Sequence, residues 1–217
     1  MRTIIETADE GSRPALLIAL LSGAYGEPED FVREGFPAAV RAHGIDADVV
    51  MAAVRAAWFA DGSIVSRIVE SVVMPARARG HTRIWLAGIS LGGLAALCYA
   101  ARHEADVEGI VLISPYPATR EVLREVDAAG GLDRWNPAIP SQGDLEREAW
   151  LWLGHGHPGR IPVHCYFASG DRFAAGQRRM AQALDATRVR ELPGGHDWPA
   201  WRSLWDLFLS DSRVVLQ

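Results

Sequence analysis

The stretch Arg83-Ile84-Trp85-Leu86-Ala87-Gly88-Ile89-Ser90-Leu91-Gly92-Gly93 decides how this chain is read. The β-type composition of Arg83–Ala87 predicts a buried strand, and Leu91–Arg102, rich in helix formers with small residues among them, predicts a helix packed closely on a sheet. A Gly-x-Ser-x-Gly turn joins the two. A turn that sharp forces its central residue into strained backbone angles and leaves no room for a β-carbon on either side, which accounts for Gly88 and Gly92. Ser90 would then stand above the sheet at a helix N-terminus, where free backbone N–H groups can meet a developing oxyanion. The expectation is a nucleophilic serine.

Such a serine needs a base to take its proton and a carboxylate to orient the base, neither of which need be near it in sequence. Asp171 follows the apolar run Val163–Ala168 in Ala168-Ser169-Gly170-Asp171, and His196 lies in Pro193-Gly194-Gly195-His196-Asp197-Trp198-Pro199 after the last predicted strand. Catalytic groups of open parallel sheets gather at strand ends of this kind, so Ser90, Asp171 and His196 should converge on one edge. Asp171 could instead cap a helix beginning near Phe173, and His196 could be a surface turn residue. Asp197 competes for the acid role, but a neighbour in sequence cannot easily turn its carboxylate onto the ring of His196. It reads as the N-cap of a helix at Pro199.

Elsewhere, apolar runs suited to buried parallel strands alternate with helix-like segments, which predicts an α/β fold: a mostly parallel sheet with helices on both faces. The strand candidates are 15–22, 48–52, 83–87, 107–114, 162–168 and 188–192, with 3–6 as an added edge strand. The helix candidates are 28–42, 64–79, 91–102, 174–184 and 199–209. Residues 116–160 separate two strands by far more than an ordinary connection. A crossover with a decorated loop and a small lid over Ser90 both fit that interval, but it is too short for a large cap. Asp61-Gly62-Ser63 reads as a turn and N-cap before the helix at Ile64. Trp198, Trp201 and Trp205 fall at helical spacing, as a core-facing stripe with Trp198 nearest any pocket.

At 217 residues, with 49% hydrophobic and 23% charged residues and a net charge of −5, the chain is most simply one domain with no electrostatic case for nucleic acid. Small or neutral molecules are the expected partners. Cys98 and Cys165 read as buried core residues, and His155-Gly156-His157 as an exposed loop, so neither a cofactor nor a metal is expected. The apolar run Pro14–Ala24 follows the acidic Glu6, Asp9 and Glu10, where a signal peptide would be basic, and it is too short to span a bilayer. A cytoplasmic protein is the default expectation.

With Gly88-Ile89-Ser90-Leu91-Gly92-Gly93 as a nucleophile elbow and the order Ser90, Asp171, His196, the chain resembles the α/β-hydrolase family over nearly its whole length. The run Gly194 to Pro199, with Trp201, is also similar to the histidine loop of esterase-type members. The resemblance implies an oxyanion hole made by the backbone N–H groups of Leu91 and of Ala24, the latter in the loop Leu21-Ser22-Gly23-Ala24-Tyr25-Gly26. Where many members have His-Gly, this chain has Ser22-Gly23. A serine hydrolase acting on an ester or thioester of a small or lipid-like acid is therefore expected. Acyl transfer through the same acyl-enzyme, and a non-catalytic binding or scaffold role on this fold, remain alternatives.

Overall fold

The structure is a computed structural model that describes residues 1–8, 12–138, 143–156, 161–212 and 216. Asp9, Glu10, His157 and parts of the 116–160 interval lie outside the described residues.

Among these residues the strands are β1 (Thr3–Glu6), β2 (Leu16–Leu21), β3 (Ala47–Ala52), β4 (Arg83–Ile89), β5 (Gly109–Ile113), β6 (Val163–Ala168) and β7 (Val189–Leu192). They form one sheet in the order β1-β3-β2-β4-β5-β6-β7, parallel throughout except for β1, which runs antiparallel to β3. β2, β3, β5 and β6 are buried at every residue, so they read as continuous apolar runs rather than alternating ones. Helices cover both faces. Leu17, Ala19, Leu86 and Leu112 point toward helices 64–78, 91–103 and 145–151, whereas Ile18, Trp85 and Val111 point toward helices 28–42 and 198–211. No helix among the described residues is long and apolar enough to cross a membrane.

Several local expectations need correction. The helix expected over 28–42 is two, Pro28–Arg33 and Phe36–Ala42, broken at Gly35, whose φ of +79° is left-handed. The helix expected over 64–79 runs as Ile64–Ile68, widens to a π turn at Val69–Val73 and resumes at Met74–Ala78. Pro75 has no N–H to give, and its ring would meet the carbonyl four residues back in a regular helix, so the turn before it opens. The turn at Asp61 forms, with the Ser63 N–H donating to Asp61 Oδ1 at 2.9 Å, but Ser63 makes no capping bond; its Oγ accepts from Arg67 Nε at 2.9 Å. The tryptophan stripe, by contrast, packs on one core as expected: Trp205 is buried and donates to Phe36 O, and the half-buried Trp198 and Trp201 pack against the same cluster while also lying beside the serine.

The interval 116–160 carries helix Arg120–Ala129 and helix Leu145–Leu151, which continues as a π turn, Trp152–Gly156. Both helices pack on the face that holds helix Leu91–His103, anchored by Val122, Val126, Leu145 and Trp150. Arg147 joins them by pairing with Asp144 at 2.6 Å, Glu121 at 3.1 Å and Glu125.

Candidate active site

The strand-to-helix turn after β4 holds Ser90 at φ +52°, ψ −116°, a conformation a non-glycine residue adopts only under constraint. A β-carbon at Gly88 would lie 2.1 Å from Gly92 O, and one at Gly92 would lie 2.1 Å from Leu21 O on the adjacent strand. No side chain fits either place. The backbone of β5 and its following loop pins the turn: Ser90 N–H donates to Ile113 O at 3.1 Å, and Ser90 O accepts from Gly93 N–H at 3.0 Å and Tyr116 N–H at 2.8 Å.

Asp171 follows β6 and His196 follows β7. Their two glycine turns touch, Gly170 N–H donating to Gly194 O at 3.0 Å, where a β-carbon at Gly170 would come within 2.7 Å of that same oxygen. This close approach brings the side chains together. His196 Nδ1 lies 2.7 Å from Asp171 Oδ2, and His196 Nε2 lies 3.0 Å from Ser90 Oγ. The structure thus joins the three expected residues in one chain of hydrogen bonds.

Asp171 is a buried carboxylate held by three donors: His196, the Phe173 N–H at 2.8 Å on Oδ1, and Gln177 Nε2 at 3.1 Å on Oδ2. Burial pushes its ionisation upward, but the hydrogen bonds from His196, Phe173 and Gln177 outweigh that and hold it below the usual carboxylate range. One oxygen holds the N–H of Phe173, just ahead of helix Ala174–Ala181, while the other meets the histidine; the N-cap position of that helix is Phe173 and not Asp171. Asp197 caps its helix as expected, Oδ1 accepting from the Ala200 N–H at 3.1 Å. The imidazole of His196 is also packed edge-on between Phe173 and Trp201, at ring centroid distances of 5.2 and 5.1 Å.

In the loop after β2, Ser22 does the bracing. Its buried Oγ accepts from the Val54 N–H at 3.0 Å and lies 2.9 and 3.0 Å from the carbonyls of Gly23 and Gly26. The loop passes close to the serine: a β-carbon on Gly23 would sit 3.5 Å from Ser90 Cβ. Among the described residues, neither the Ala24 nor the Leu91 N–H donates to a protein acceptor, and Leu91 heads a helix whose first N–H groups point outward.

Two clefts flank Ser90. The larger, about 680 Å³, is lined by the apolar Ala56, Phe59, Leu91, Leu94, Tyr116, Leu145 and Phe173 and by the polar Thr119, Glu121, Asp144, Glu146 and Arg147. The smaller, about 290 Å³, is lined by Gly23–Gly26, His196, Trp198 and Trp201. Ala24, Ser90 and Arg172 line both. The interval 116–160 therefore supplies much of one wall of the larger cleft. His155 Nε2 lies 3.0 Å from Trp135 O, and no group of three or more His, Cys, Asp or Glu among the described residues is arranged to hold a metal ion.

Gln177 and Trp201 were not legible as site residues in the sequence. Gln177 is the one polar side chain in the buried set of helix Ala174–Ala181, a signal that points to a site only once the helix phase is known.

The Esterase family model matches residues 65–206. No curated protein sequence matches the chain. Among solved structures it is similar to the fluorophosphonate-binding serine hydrolase FphF of Staphylococcus aureus, at a TM-score of 0.70 and 14% identity over 96% of this chain and 90% of that one. Est1E from Butyrivibrio proteoclasticus gives a TM-score of 0.71 and 15% identity over 99% and 93%. A monoacylglycerol lipase of Paleococcus ferrophilus gives a TM-score of 0.60 and 15% identity over 97% and 99%. At these identities the likeness establishes the fold, which is that of the α/β-hydrolases.

Proposed function

The chain belongs to the Esterase family and is an ester hydrolase, and on that premise we propose that Ser90 is its nucleophile, His196 its general base and Asp171 the acid that orients the base. The observation that carries the reading is the unbroken hydrogen-bond chain Ser90 Oγ–His196–Asp171 at the strained turn. Ser90 Oγ attacks the acyl carbonyl while His196 Nε2 takes its proton. Asp171 holds the Nδ1–H, fixing the tautomer and stabilising the imidazolium that forms. The N–H groups of Leu91 and Ala24 receive the oxyanion. His196 returns the proton to the leaving alcohol or thiol, and water then attacks the acyl-enzyme by the same route.

The larger cleft, apolar beside Ser90, suits the acyl group of a small or lipid-like acid, and the aromatic smaller cleft suits the leaving group. In this reading the chain is a single hydrolase domain over 1–217, and the interval 116–160 serves as a minimal lid and cleft wall. We place it in a cytoplasmic setting without a nucleic-acid partner, since the net charge is −5 and the apolar run Pro14–Ala24 is spent on the buried strand Leu16–Leu21. A fluorophosphonate probe should label wild-type protein at Ser90, and Ser90→Ala should abolish labelling while lowering hydrolysis of a short p-nitrophenyl ester by on the order of 10⁴-fold with the fold intact. Full activity in the folded variant would overturn the assignment.

A further inference from the structure

Gln177 is buried beneath the acid loop, on helix Ala174–Ala181. Its Nε2 lies 3.1 Å from Asp171 Oδ2 and 3.0 Å from Pro115 O. Both neighbours can only accept, the first because Asp171 is held ionised, so the amide must present its NH₂ group to them and both of its hydrogens are spent. The opposite atom, Oε1, is buried with no partner among the described residues. An orphaned acceptor in the interior costs stability, and an apolar residue of the same shape would avoid that cost. What the side chain contributes at this position is therefore its two donors rather than its acceptor.

What those donors join is specific. Pro115 lies in the loop after β5 whose neighbours grip the elbow: Ile113 O accepts from Ser90 N–H, and Tyr116 N–H donates to Ser90 O. The elbow is also fitted to Pro115 itself, since a β-carbon at Gly93 would come within 2.9 Å of Pro115 Cβ. A single amide therefore spans the carboxylate that orients the base and the loop that holds the nucleophile. We propose that Gln177 is a positioning residue that fixes the Asp171 carboxylate against His196 and sets its distance from the Ser90 elbow, an inference that rests on the Ser90–His196–Asp171 assignment.

Gln177 lines neither cleft, so its loss should act on kcat rather than on substrate binding. Gln177→Met keeps the volume and removes both donors. Its kcat on a short p-nitrophenyl ester should fall roughly tenfold to hundredfold, the worth of one hydrogen bond to a charged group, with KM nearly unchanged. Gln177→Glu adds a readout that mere packing would not move. Protonated, the new carboxyl can still donate to Asp171 Oδ2; ionised, it sets two carboxylates side by side. The ratio of variant to wild-type kcat should therefore fall as pH rises from about 6 to 9, where loss of the proton removes the donor.

Activity would be normalised to sites titrated by a fluorophosphonate, beside a thermal melt. Wild-type kcat per titrated site and a wild-type pH profile in both variants would overturn the positioning role. So would losses that only track the folded fraction. Failure of Ser90 to label in the wild-type protein would instead strike the underlying assignment, which keeps the two failures apart.

Discussion

Two cavities among the described residues each have a serine, a histidine and an aspartate nearby. At the carboxyl ends of the strands, His196 lies between Asp171 and Ser90. Along the face that carries helix 64–78, a cavity of about 300 Å³ is lined by Ser71 and His81, and His81 Nε2 lies 2.9 Å from Oδ2 of the buried Asp48. The pairs look alike, but the second nitrogen of each ring meets a different group. His196 Nε2 faces a hydroxyl, which can donate a proton to it. His81 Nδ1 faces the Ala76 carbonyl at 3.0 Å, so every hydrogen bond it makes calls on it to donate, and none leaves it free to act as a base. Ser71 meanwhile accepts a hydrogen bond from the Met1 nitrogen at 3.1 Å. A His–Asp pair becomes a catalytic base only when the remaining nitrogen can accept. The pair at His81 serves as a buried clamp between β3, the end of the preceding helix and the Ala8 N–H.

The sharpest way to break this contrast is to make the same change in both aspartates. Asp171→Asn should lower kcat per folded molecule by on the order of 10⁴-fold, because an amide no longer holds the productive tautomer. Asp48→Asn should spare kcat per folded molecule and lower stability by about 1–3 kcal/mol, because an amide cannot accept from both His81 and the Ala8 N–H as the carboxylate does, and leaves a buried donor unpaired. Ester assays beside thermal melts would decide it, and a loss of kcat in a stably folded Asp48→Asn protein would erase the distinction.

A third histidine, His164, sharpens the contrast by having no acid hydrogen-bond partner among the described residues. It sits in β6 against Trp85, Tyr166 and Phe208, and its Nδ1 is without a hydrogen bond. Burial, reinforced by Arg188 and Arg190 and opposed by Asp211, pushes its pKa down from 6.5 to about 4. Between these values the unfolded chain binds a proton that the folded chain refuses. The His164 contribution to stability is therefore complete above pH 6.5 and drains away as pH falls toward 4, by up to about 3 kcal/mol. His164→Leu should flatten the loss of melting temperature across that window relative to wild type. Parallel acid profiles for the two proteins would count against a neutral buried ring.

How much of the molecule is legible in its sequence depends on where each residue finds its partners. Strands β2 to β6 could be read because burial on both faces leaves continuous apolar runs, and the elbow because Gly88 and Gly92 have no alternative. Asp171 and His196 could be read because glycine turns after apolar strands mark them out. The break at Gly35 carried a local sign, a glycine followed by Pro37 at the start of the next helix, which the apolar spacing over 28–42 masked. Gln177 was hidden because its partner Pro115 lies 62 positions away, and no local pattern records the distance. Trp201 was assigned to the core by its spacing, and it packs there, but its ring also meets His196, which spacing alone does not record.

The smallest effect concerns the walls of the cleft beside Ser90. Tyr116 comes from the long interval, lines the larger cleft and packs edge-on against Phe173 at 5.3 Å, which in turn touches His196. If this cleft holds the acyl group, Tyr116→Ala should open room for a longer chain, raising the octanoate-to-butyrate ratio of kcat/KM several-fold, as expected for a few methylenes in an apolar pocket. The rate at which a small fluorophosphonate labels Ser90 should change little, because the Tyr116 backbone N–H that braces the elbow is kept. A ratio that does not move, with labelling intact, would place the acyl chain on the other side of Ser90, in the cleft lined by Trp198 and Trp201, and would remove the interval's claim to act as a lid.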